Sequence, residues 1–280
     1  MRYSIKNFLI RISGNGQFQR LLERNVAYSL YLMGIGSGTF PYSSGEKALV
    51  DRLKQHVVVD KQPLCVFDVG ANEGQFLKLI MESGLTHTGG GTPFHVHCFE
   101  PGHYAYSLLC AFAEKHPDWQ KHCTLNNFGL GRQSGDFDLF YPEAGSGWAS
   151  LTKRETGHLG IDFKYSERVR IYTLDSYCSR NAISWIDLLK LDVEGHELDI
   201  LQGGSQMFAS RNIRMASFEF GECHIDTRTY FRDLYSFFKD NGMSRMYRIT
   251  PSGYLMPIDQ YRFIYEQFLA TNFLALRDEL

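Results

Sequence analysis

The segment Leu-Cys-Val-Phe-Asp-Val-Gly-Ala-Asn-Glu-Gly, residues 64–74, decides the fold class. Residues 64–69 form a short apolar run with β-branched and aromatic members, which is typical of a parallel strand covered on both faces. Gly70 and Gly74 then permit a tight turn, and residues 75–83 carry apolar side chains at helical spacing. A helix that begins there aims free backbone N–H groups at the space above the strand. The segment therefore predicts a nucleotide-binding turn.

The turn differs from the dinucleotide-binding fingerprint Gly-x-Gly-x-x-Gly, because Asn72 stands where the second glycine would be. A nicotinamide oxidoreductase is disfavoured for the same reason. The form Asp-x-Gly-x-x-x-Gly, with Asp68 one step before the strand ends, resembles the first motif of S-adenosylmethionine (SAM)-dependent methyltransferases of Rossmann type. A tight strand-to-helix turn in another α/β protein is the alternative. The resemblance implies that Asp68, Gly70, Asn72 and Gly74 bind the methionine end of SAM.

The composition limits the class of protein. With 280 residues, 44% of them hydrophobic, the chain can form one large α/β domain, or one domain with a small appendage. A formal net charge of −2 argues against binding nucleic acid through its backbone. Six cysteines without a Cys-x-x-Cys pair indicate reduced thiols and a cytoplasmic protein. The apolar run at residues 26–36 is too short to cross a bilayer, so no transmembrane segment is expected.

Residues 1–45 combine basic and apolar positions, among them Lys6 and Arg11 against Phe8 and Leu9. The pattern predicts one or two helices ahead of a domain that spans residues 46–280. A lid or a dimer contact is one interpretation of this extension. A helical cap over an edge of the sheet is the interpretation that we favour.

A second predicted strand, residues 94–99, ends at Glu100. An acid at this position in a nucleotide-binding α/β sheet accepts hydrogen bonds from both ribose hydroxyls. Its separation from the glycine turn exceeds the usual roughly 20 residues, and we assign the excess to a surface insertion at residues 86–93. A helix-capping acid is the alternative for Glu100. Asn127, in the polar turn that follows a third predicted strand, is the other residue expected to contact the cofactor.

Acidic side chains gather at the ends of two later strands. Residues 185–192 form a buried strand that delivers Asp192 and Glu194 to its carboxyl end, where open α/β sheets bind ligands. Residues 213–220 form another strand, which is followed by Glu222 and His224 and has Glu219 near its end. Acids that stabilise the start of a helix are the alternative after the first strand. These residues predict a second chemical centre.

A flexible loop of small residues surrounds Trp148 at residues 143–153. Such a loop is typical of a cover over an active site. Two interpretations of Trp148 are open: its ring stacks on a sugar or adenine, or it fills an exposed apolar gap.

Five segments together resemble the FkbM family of SAM-dependent methyltransferases: residues 66–74, 99–101, 173–175, 188–197 and 268–272. The most distinctive is Lys-Leu-Asp-Val-Glu-Gly-His-Glu, residues 190–197. From residue 46 onward, strands alternate with helices, which predicts a doubly wound sheet. The resemblance implies a Rossmann-like, mostly parallel sheet of seven strands, of the class I methyltransferase type, with SAM as the cofactor.

The resemblance also implies transfer of a methyl group to a hydroxyl of a sugar or glycan. There are two alternatives: transfer to a polyketide-type molecule, and a non-catalytic scaffold that binds SAM. Each of these functions is compatible with a homo-oligomer. Methyl transfer to a hydroxyl needs a positioned base. The candidates are Asp192, Glu194 and His224, without a metal ion. The alternative is a divalent cation held by Asp192 with Glu219 or Glu222, which would lower the pKa of the hydroxyl. The acceptor is expected to contact Trp148, Glu219 and Glu222.

Overall fold

The computed structural model describes residues 2–38, 41–60, 64–83 and 94–279. The insertion predicted at residues 86–93 therefore lies outside the described residues. The helices are α1 (Arg2–Ile12), α2 (Gly16–Leu32), α3 (Lys47–Asp60), α4 (Gln75–Glu82), α5 (His103–Glu114), α6 (Pro117–Gln120), α7 (Leu174–Arg180), α8 (Glu197–Gly203), α9 (Ser205–Ala209), α10 (Cys223–Thr227) and α11 (Phe231–Asp240).

The strands are β1 (Leu64–Val69), β2 (Phe94–Phe99), β3 (Cys123–Asn126), β4 (Gly129–Leu130), β5 (Gly135–Tyr141), β6 (Tyr165–Tyr172), β7 (Ile186–Leu191), β8 (Ile213–Phe220), β9 (Arg245–Ile249), β10 (Leu255–Ile258) and β11 (Thr271–Leu276). They form one large and one small sheet.

The large sheet has the strand order β10-β9-β11-β8-β7-β1-β2-β3. Neighbours from β3 to β8 run parallel, whereas β11, β9 and β10 pair in antiparallel fashion. The mostly parallel α/β fold is confirmed. Within the described residues this sheet has eight strands rather than the expected seven, because β10 adds an edge strand beside β9.

Alternate side chains of the central strands pack on opposite faces of the large sheet. Val66 and Leu188 belong to a core that includes side chains of α3, α4 and α5. Phe67 and Leu189 belong to the core formed with α7, α8 and α11. Because side chains alternate along a strand, apolar residues at successive positions of β1 and β7 are what two covered faces require, and the charged exceptions are Asp68, Asp187 and Lys190.

The small sheet has the order β4-β6-β5, and β5 pairs with β6 in antiparallel fashion from Gly135 to Tyr141. The sequence predicts strands in both segments but not a separate sheet. Exposed and buried positions alternate in β6, as in a strand with one covered face, and Leu139, Val169 and Ile171 form a small core of their own.

The extension at residues 1–45 contains the two helices α1 and α2, and the cap over an edge of the sheet stays a prediction. None of the α2 residues is buried. Burial begins only at Gly34 and Ile35, which follow the helix. Among the described residues, no helix has the length and apolar character needed to cross a membrane.

Candidate functional site

Two adjoining cavities lie at the carboxyl ends of the parallel strands. Cavity 1 has a volume of about 200 Å³, and cavity 2 has a volume of about 850 Å³. Gly70, Asn72, Asp192 and Glu194 line both cavities, as do residues 145–147 of the loop before Trp148. The glycine turn after β1 and the acidic tip of β7 therefore meet where the two cavities join.

Gly70 is required by its surroundings as well as by its backbone. It has φ +86°, and a Cβ at this position would lie 1.8 Å from the carbonyl oxygen of Asp192. The N–H groups of Gly70 and Ala71 both donate to the carbonyl of Phe99 at 3.0 Å. Only glycine allows the turn to approach the tip of β7 so closely.

Glu100 is held at the floor of cavity 1 by backbone donors. The Asn72 N–H donates to Oε2 at 2.9 Å, and the Gly102 N–H donates to Oε1 at 2.8 Å. Burial raises the pKa of Glu100 to about 7, although these two donors act in the opposite direction. Each carboxylate oxygen has a further lone pair, so Glu100 can accept two more hydrogen bonds from a molecule in cavity 1. Apolar side chains form the surrounding wall, among them Leu130, Leu139 and Ile171.

Gly74 and Asn127, both predicted to bind the cofactor, line neither cavity. A Cβ at Gly74 would lie 2.9 Å from Leu109 and 3.0 Å from Phe112, so this glycine permits close packing of α4 against α5. The Asn127 amide donates to the carbonyls of Glu100 and Pro101 at 3.0 and 3.2 Å. Both residues shape the site through the backbone rather than by direct contact with a ligand.

Asp68 lies at the base of cavity 2, fully buried. Neither carboxylate oxygen accepts a hydrogen bond from a described residue, and Lys190 Nζ lies 3.9 Å from Oδ1. Burial raises the pKa of Asp68 to about 6, against the effect of Lys190. A buried carboxylate with unused acceptors is suited to an ammonium group bound in the cavity.

Lys190 is the buried cation of this region. Its Nζ lies 3.1 Å from Asp192 Oδ2 and 3.9 Å from Glu46 Oε1. Burial lowers the pKa of Lys190, but the carboxylates of Asp192, Glu46 and Asp68 raise it by more, so the amine stays charged. No feature of the sequence indicated that Glu46 and Lys190 lie close together.

Asp192 and Glu194 stand at the junction of the two cavities, each beside a cation. Nη1 of Arg154 donates to Oε2 of Glu194 at 2.8 Å. Burial, followed by the nearby Asp192 carboxylate, raises the pKa of Glu194 well above its ordinary value, although Arg154 acts in the opposite direction. Glu194 has φ +53°, a strained conformation for a residue other than glycine. The ion pair with Arg154 holds its side chain at the junction.

Three further predicted residues line cavity 2: Trp148, Glu219 and Glu222. The guanidinium of Arg154 lies 5.3 Å from the Trp148 ring centroid, and its Nη2 lies 4.0 Å from Glu222 Oε1. Burial, and then Asp192 and other nearby acids, raise the pKa of Glu219 well above its ordinary value. Arg154 therefore joins the tryptophan loop to the acids of both strand tips, and sequence spacing gave no signal for it.

His224 is fully buried and lines neither cavity, which corrects the prediction that it acts as a base. Its Nε2 lies 2.9 Å from Glu197 Oε2, and its Nδ1 accepts from the Gly221 N–H at 3.2 Å. Glu197 Oε1 in turn accepts from the Val193 N–H at 2.9 Å. The pair thus ties the turn after β7 to the turn after β8.

All six cysteines are free thiols. Within the part of the chain that the structure describes, no group of three or more His, Cys, Asp or Glu side chains is arranged to hold a metal ion.

The two cavities fit the parts of one cofactor. Cavity 1 joins apolar walls to a carboxylate that has free acceptors, as a nucleoside requires. Cavity 2 presents Asp68, whose oxygens accept no hydrogen bond from a described residue, close to the glycine turn. With the mostly parallel sheet, these features define a class I SAM-dependent methyltransferase.

A family profile described as the methyltransferase FkbM domain matches residues 68–244, and the chain belongs to this family. The methyl donor is therefore S-adenosyl-L-methionine. A search of curated proteins gave no match.

Among solved structures, the chain is similar to methyltransferase FkbM from Methylobacillus flagellatus KT, with 15% identity and a TM-score of 0.47. The match covers 77% of this chain and 44% of that one, so this chain spans less than half of the other protein's length. Magnesium protoporphyrin IX methyltransferase from Synechocystis PCC 6803, with bound SAM, shows 16% identity, a TM-score of 0.38, and coverage of 83% and 80%. The N-terminal domain of human METTL16, in complex with SAH, shows 12% identity, a TM-score of 0.42, and coverage of 82% and 67%.

Proposed function

We propose that the protein is an O-methyltransferase that transfers the methyl group of SAM to a hydroxyl of a sugar or glycan. The observation that carries the proposal is cavity 2, which adjoins cavity 1 and is lined by several carboxylates and one half-buried tryptophan. Carboxylates accept hydrogen bonds from paired hydroxyls, and an aromatic ring offers a face to a sugar ring. A polyol acceptor uses both features.

The residues fit the cofactor as follows. Glu100 would accept the ribose hydroxyls, and Asp68 would face the ammonium group, with the turn at Gly70 and Asn72 between them. When bound, SAM supplies an electrophilic methyl group. In this proposal the nucleoside of the cofactor occupies cavity 1 and its amino-acid end reaches Asp68 at the base of cavity 2, so the acceptor occupies the remainder of cavity 2.

Asp192 and Glu194 are the residues that we propose to act on the acceptor hydroxyl. Asp192 is 40% exposed in its side chain and accepts a hydrogen bond from a neighbouring hydroxyl of the acceptor, which orients the reacting oxygen. Glu194 removes the proton, because a carboxylate with a raised pKa is a stronger base than an ordinary one. Lys190 and Arg154 keep the two carboxylates in place.

Two other functions have less support. A polyketide-type acceptor would favour an apolar cavity, whereas eight acids line cavity 2, among them Asp192, Glu194, Glu219 and Glu222. A SAM-binding scaffold needs cavity 1 but has no use for these acids, several of which cost stability when they are ionised. Free thiols at all six cysteines support a cytoplasmic site of action.

The test is a transfer assay with methyl-labelled SAM and separate pools of glycans, nucleotide sugars, polyketide-type molecules, protein and nucleic acid. The proposal expects label in a sugar-containing pool that withstands mild base, as a methyl ether does. Label only in polyketide-type molecules would select the second candidate. SAM binding by calorimetry without transfer to any pool would favour the scaffold.

A further inference from the structure

The first two helices expose an unusual amount of apolar surface. Of the 22 large hydrophobic side chains that are exposed among the described residues, 11 lie between Ile5 and Leu32. Ile5 is 56% exposed, Phe8 63% and Leu9 51%. Such clustering marks an interaction site rather than ordinary scattered surface residues.

Among the described side chains of α1, four of the five exposed apolar residues occupy one face, and Ile10, which is 59% exposed, lies on the opposite side. The spacing of these four residues is three or four positions in the pairs 5/8, 5/9, 8/12 and 9/12, so Ile5, Phe8, Leu9 and Ile12 lie on one side of the helix. With 3.6 residues per turn, Lys6 and Arg11 lie about 110° to either side of the centre of this face. All of these side chains are exposed.

The helix α2 repeats the pattern. Leu21, Tyr28 and Leu32 are separated by seven and four positions and share one exposed face, and Arg20 and Arg24 are exposed beside it. Residues 1–22 contain four Lys or Arg and no Asp or Glu, although the whole chain has a net charge of −2. Basic charge is therefore concentrated on the same two helices as the exposed apolar side chains.

From these observations we infer that α1 and α2 form an interfacial surface that binds an anionic lipid bilayer. The apolar faces enter the boundary between headgroups and acyl chains, and Lys6, Arg11 and Arg20 contact anionic headgroups. Charge favours a bilayer over a second copy of this chain, because two copies would bring like-charged helices together. This inference does not depend on the identity of the acceptor.

The segment that follows α2 is attached to the wall of cavity 2. The N–H groups of Gly36 and Gly38, which follow α2, donate to the carbonyl of Ala270 at 3.0 and 2.9 Å. Ala270 lines cavity 2, and a Cβ at Gly38 would lie 2.7 Å from Glu219 Oε2. Binding through α1 and α2 therefore brings the wall of cavity 2 close to the bilayer.

The test is cosedimentation of the full chain with vesicles of phosphatidylcholine alone and of phosphatidylcholine mixed with phosphatidylglycerol. We expect binding to the mixed vesicles only, with loss at high salt. Lys6→Glu/Arg11→Glu should weaken it about tenfold or more, since each basic residue contributes to attraction. Phe8→Ser/Leu9→Ser should weaken it similarly. The matched control Lys115→Glu/Lys239→Glu alters the net charge equally at exposed positions in the main domain and should bind as the wild type does.

SAM affinity measured by calorimetry confirms that each variant is folded. Equal binding to both kinds of vesicle, or an equal loss in the control variant, would overturn the inference. Absence of vesicle binding together with a dimer in light scattering, abolished by Phe8→Ser/Leu9→Ser, would overturn it in favour of a contact between two copies of the chain.

Discussion

Gly70 in the turn after β1 packs directly against the main-chain carbonyl of Asp192 at the tip of β7, so that no Cβ fits between them. This contact joins the part of the site assigned to the donor to the part assigned to the acceptor. It also explains why one glycine substitution should affect both halves of the site.

Gly70→Ala should therefore abolish SAM binding and destabilise the protein. The clash with Asp192 adds to a cost of about 1–2 kcal/mol for a left-handed alanine. Gly242→Ala is the matched control, because Gly242 has φ +70° but its added Cβ would meet only an Arg277 atom, at 3.7 Å. Thermal unfolding and calorimetry measure both variants. Equal destabilisation of the two would show that backbone strain, and not the contact with Asp192, explains Gly70.

SAM affinity should depend on pH through Glu100. Its pKa of about 7 means that the carboxyl is mostly protonated at lower pH and has one acceptor fewer. Binding should therefore be up to about tenfold tighter near pH 8 than near pH 6. Glu100→Gln should weaken binding by about tenfold at high pH and flatten the profile. A wild-type affinity that is constant across this interval would contradict the assignment of Glu100 to the ribose.

The sequence predicted the features of the site that depend on local pattern. The apolar run of β1 predicts a buried strand. The positions of Glu100 and Asp192 at strand ends predict that both acids lie at one edge of a parallel sheet. Arg154 and Glu46 escaped prediction because their partners, Glu194 and Lys190, lie far away in the sequence, and no periodicity connects them.

Gly74 shows a different limit. A glycine that approaches a ligand and a glycine that admits a neighbouring helix look identical in sequence, because both positions exclude a Cβ. Asn127 shows a related limit: the sequence places it after a strand at this edge of the sheet, but it does not reveal that its amide donates to the backbone carbonyls of Glu100 and Pro101. The small sheet could not be foreseen, since the pattern of β5 and β6 identifies strands but not the sheet that they join.

Stability without SAM should decrease as pH rises from about 4.5, the ordinary pKa of a glutamate, to about 7, the raised pKa of Glu46 and Glu100. Burial raises the pKa of Glu46, Glu100, Glu194 and Glu219. Folding favours the protonated form of an acid with a raised pKa, so its contribution to stability is present at low pH and lost as pH rises through that pKa. The melting temperature measured against pH checks this direction.

Glu219→Gln isolates one of these groups. Arg154 pairs with Glu194, whereas no described cation pairs with the Glu219 carboxylate. We expect the substitution to raise the melting temperature near pH 8 by about 2–4 °C, or about 1 kcal/mol. It should also reduce turnover, because Glu219 lines cavity 2. Glu114→Gln, at an exposed position of α5, should change neither quantity. A lower melting temperature for Glu219→Gln would show that the carboxylate stabilises the fold.

Turnover measurements on variants should distinguish the role of Glu194 from that of Asp192. Glu194→Gln should lower kcat by about a hundredfold or more, the usual contribution of a general base, while SAM affinity stays within about threefold. In the wild type, kcat should rise with pH through the raised pKa of Glu194. Asp192→Asn should raise KM for the acceptor more than it lowers kcat. If Glu194→Gln kept full activity with an unchanged pH profile, Glu194 would not be the base.

The chemical identity of the product tests the central claim most directly. The protein, SAM carrying a ¹³C-labelled methyl group and the acceptor found in the transfer assay are incubated together, and the product is examined by two-dimensional carbon–proton NMR. We predict a labelled methyl group bonded to oxygen and coupled through that bond to a ring carbon of a sugar, and no such signal with Glu194→Gln. A labelled methyl group on nitrogen, on carbon or in a carboxylic ester would contradict the account.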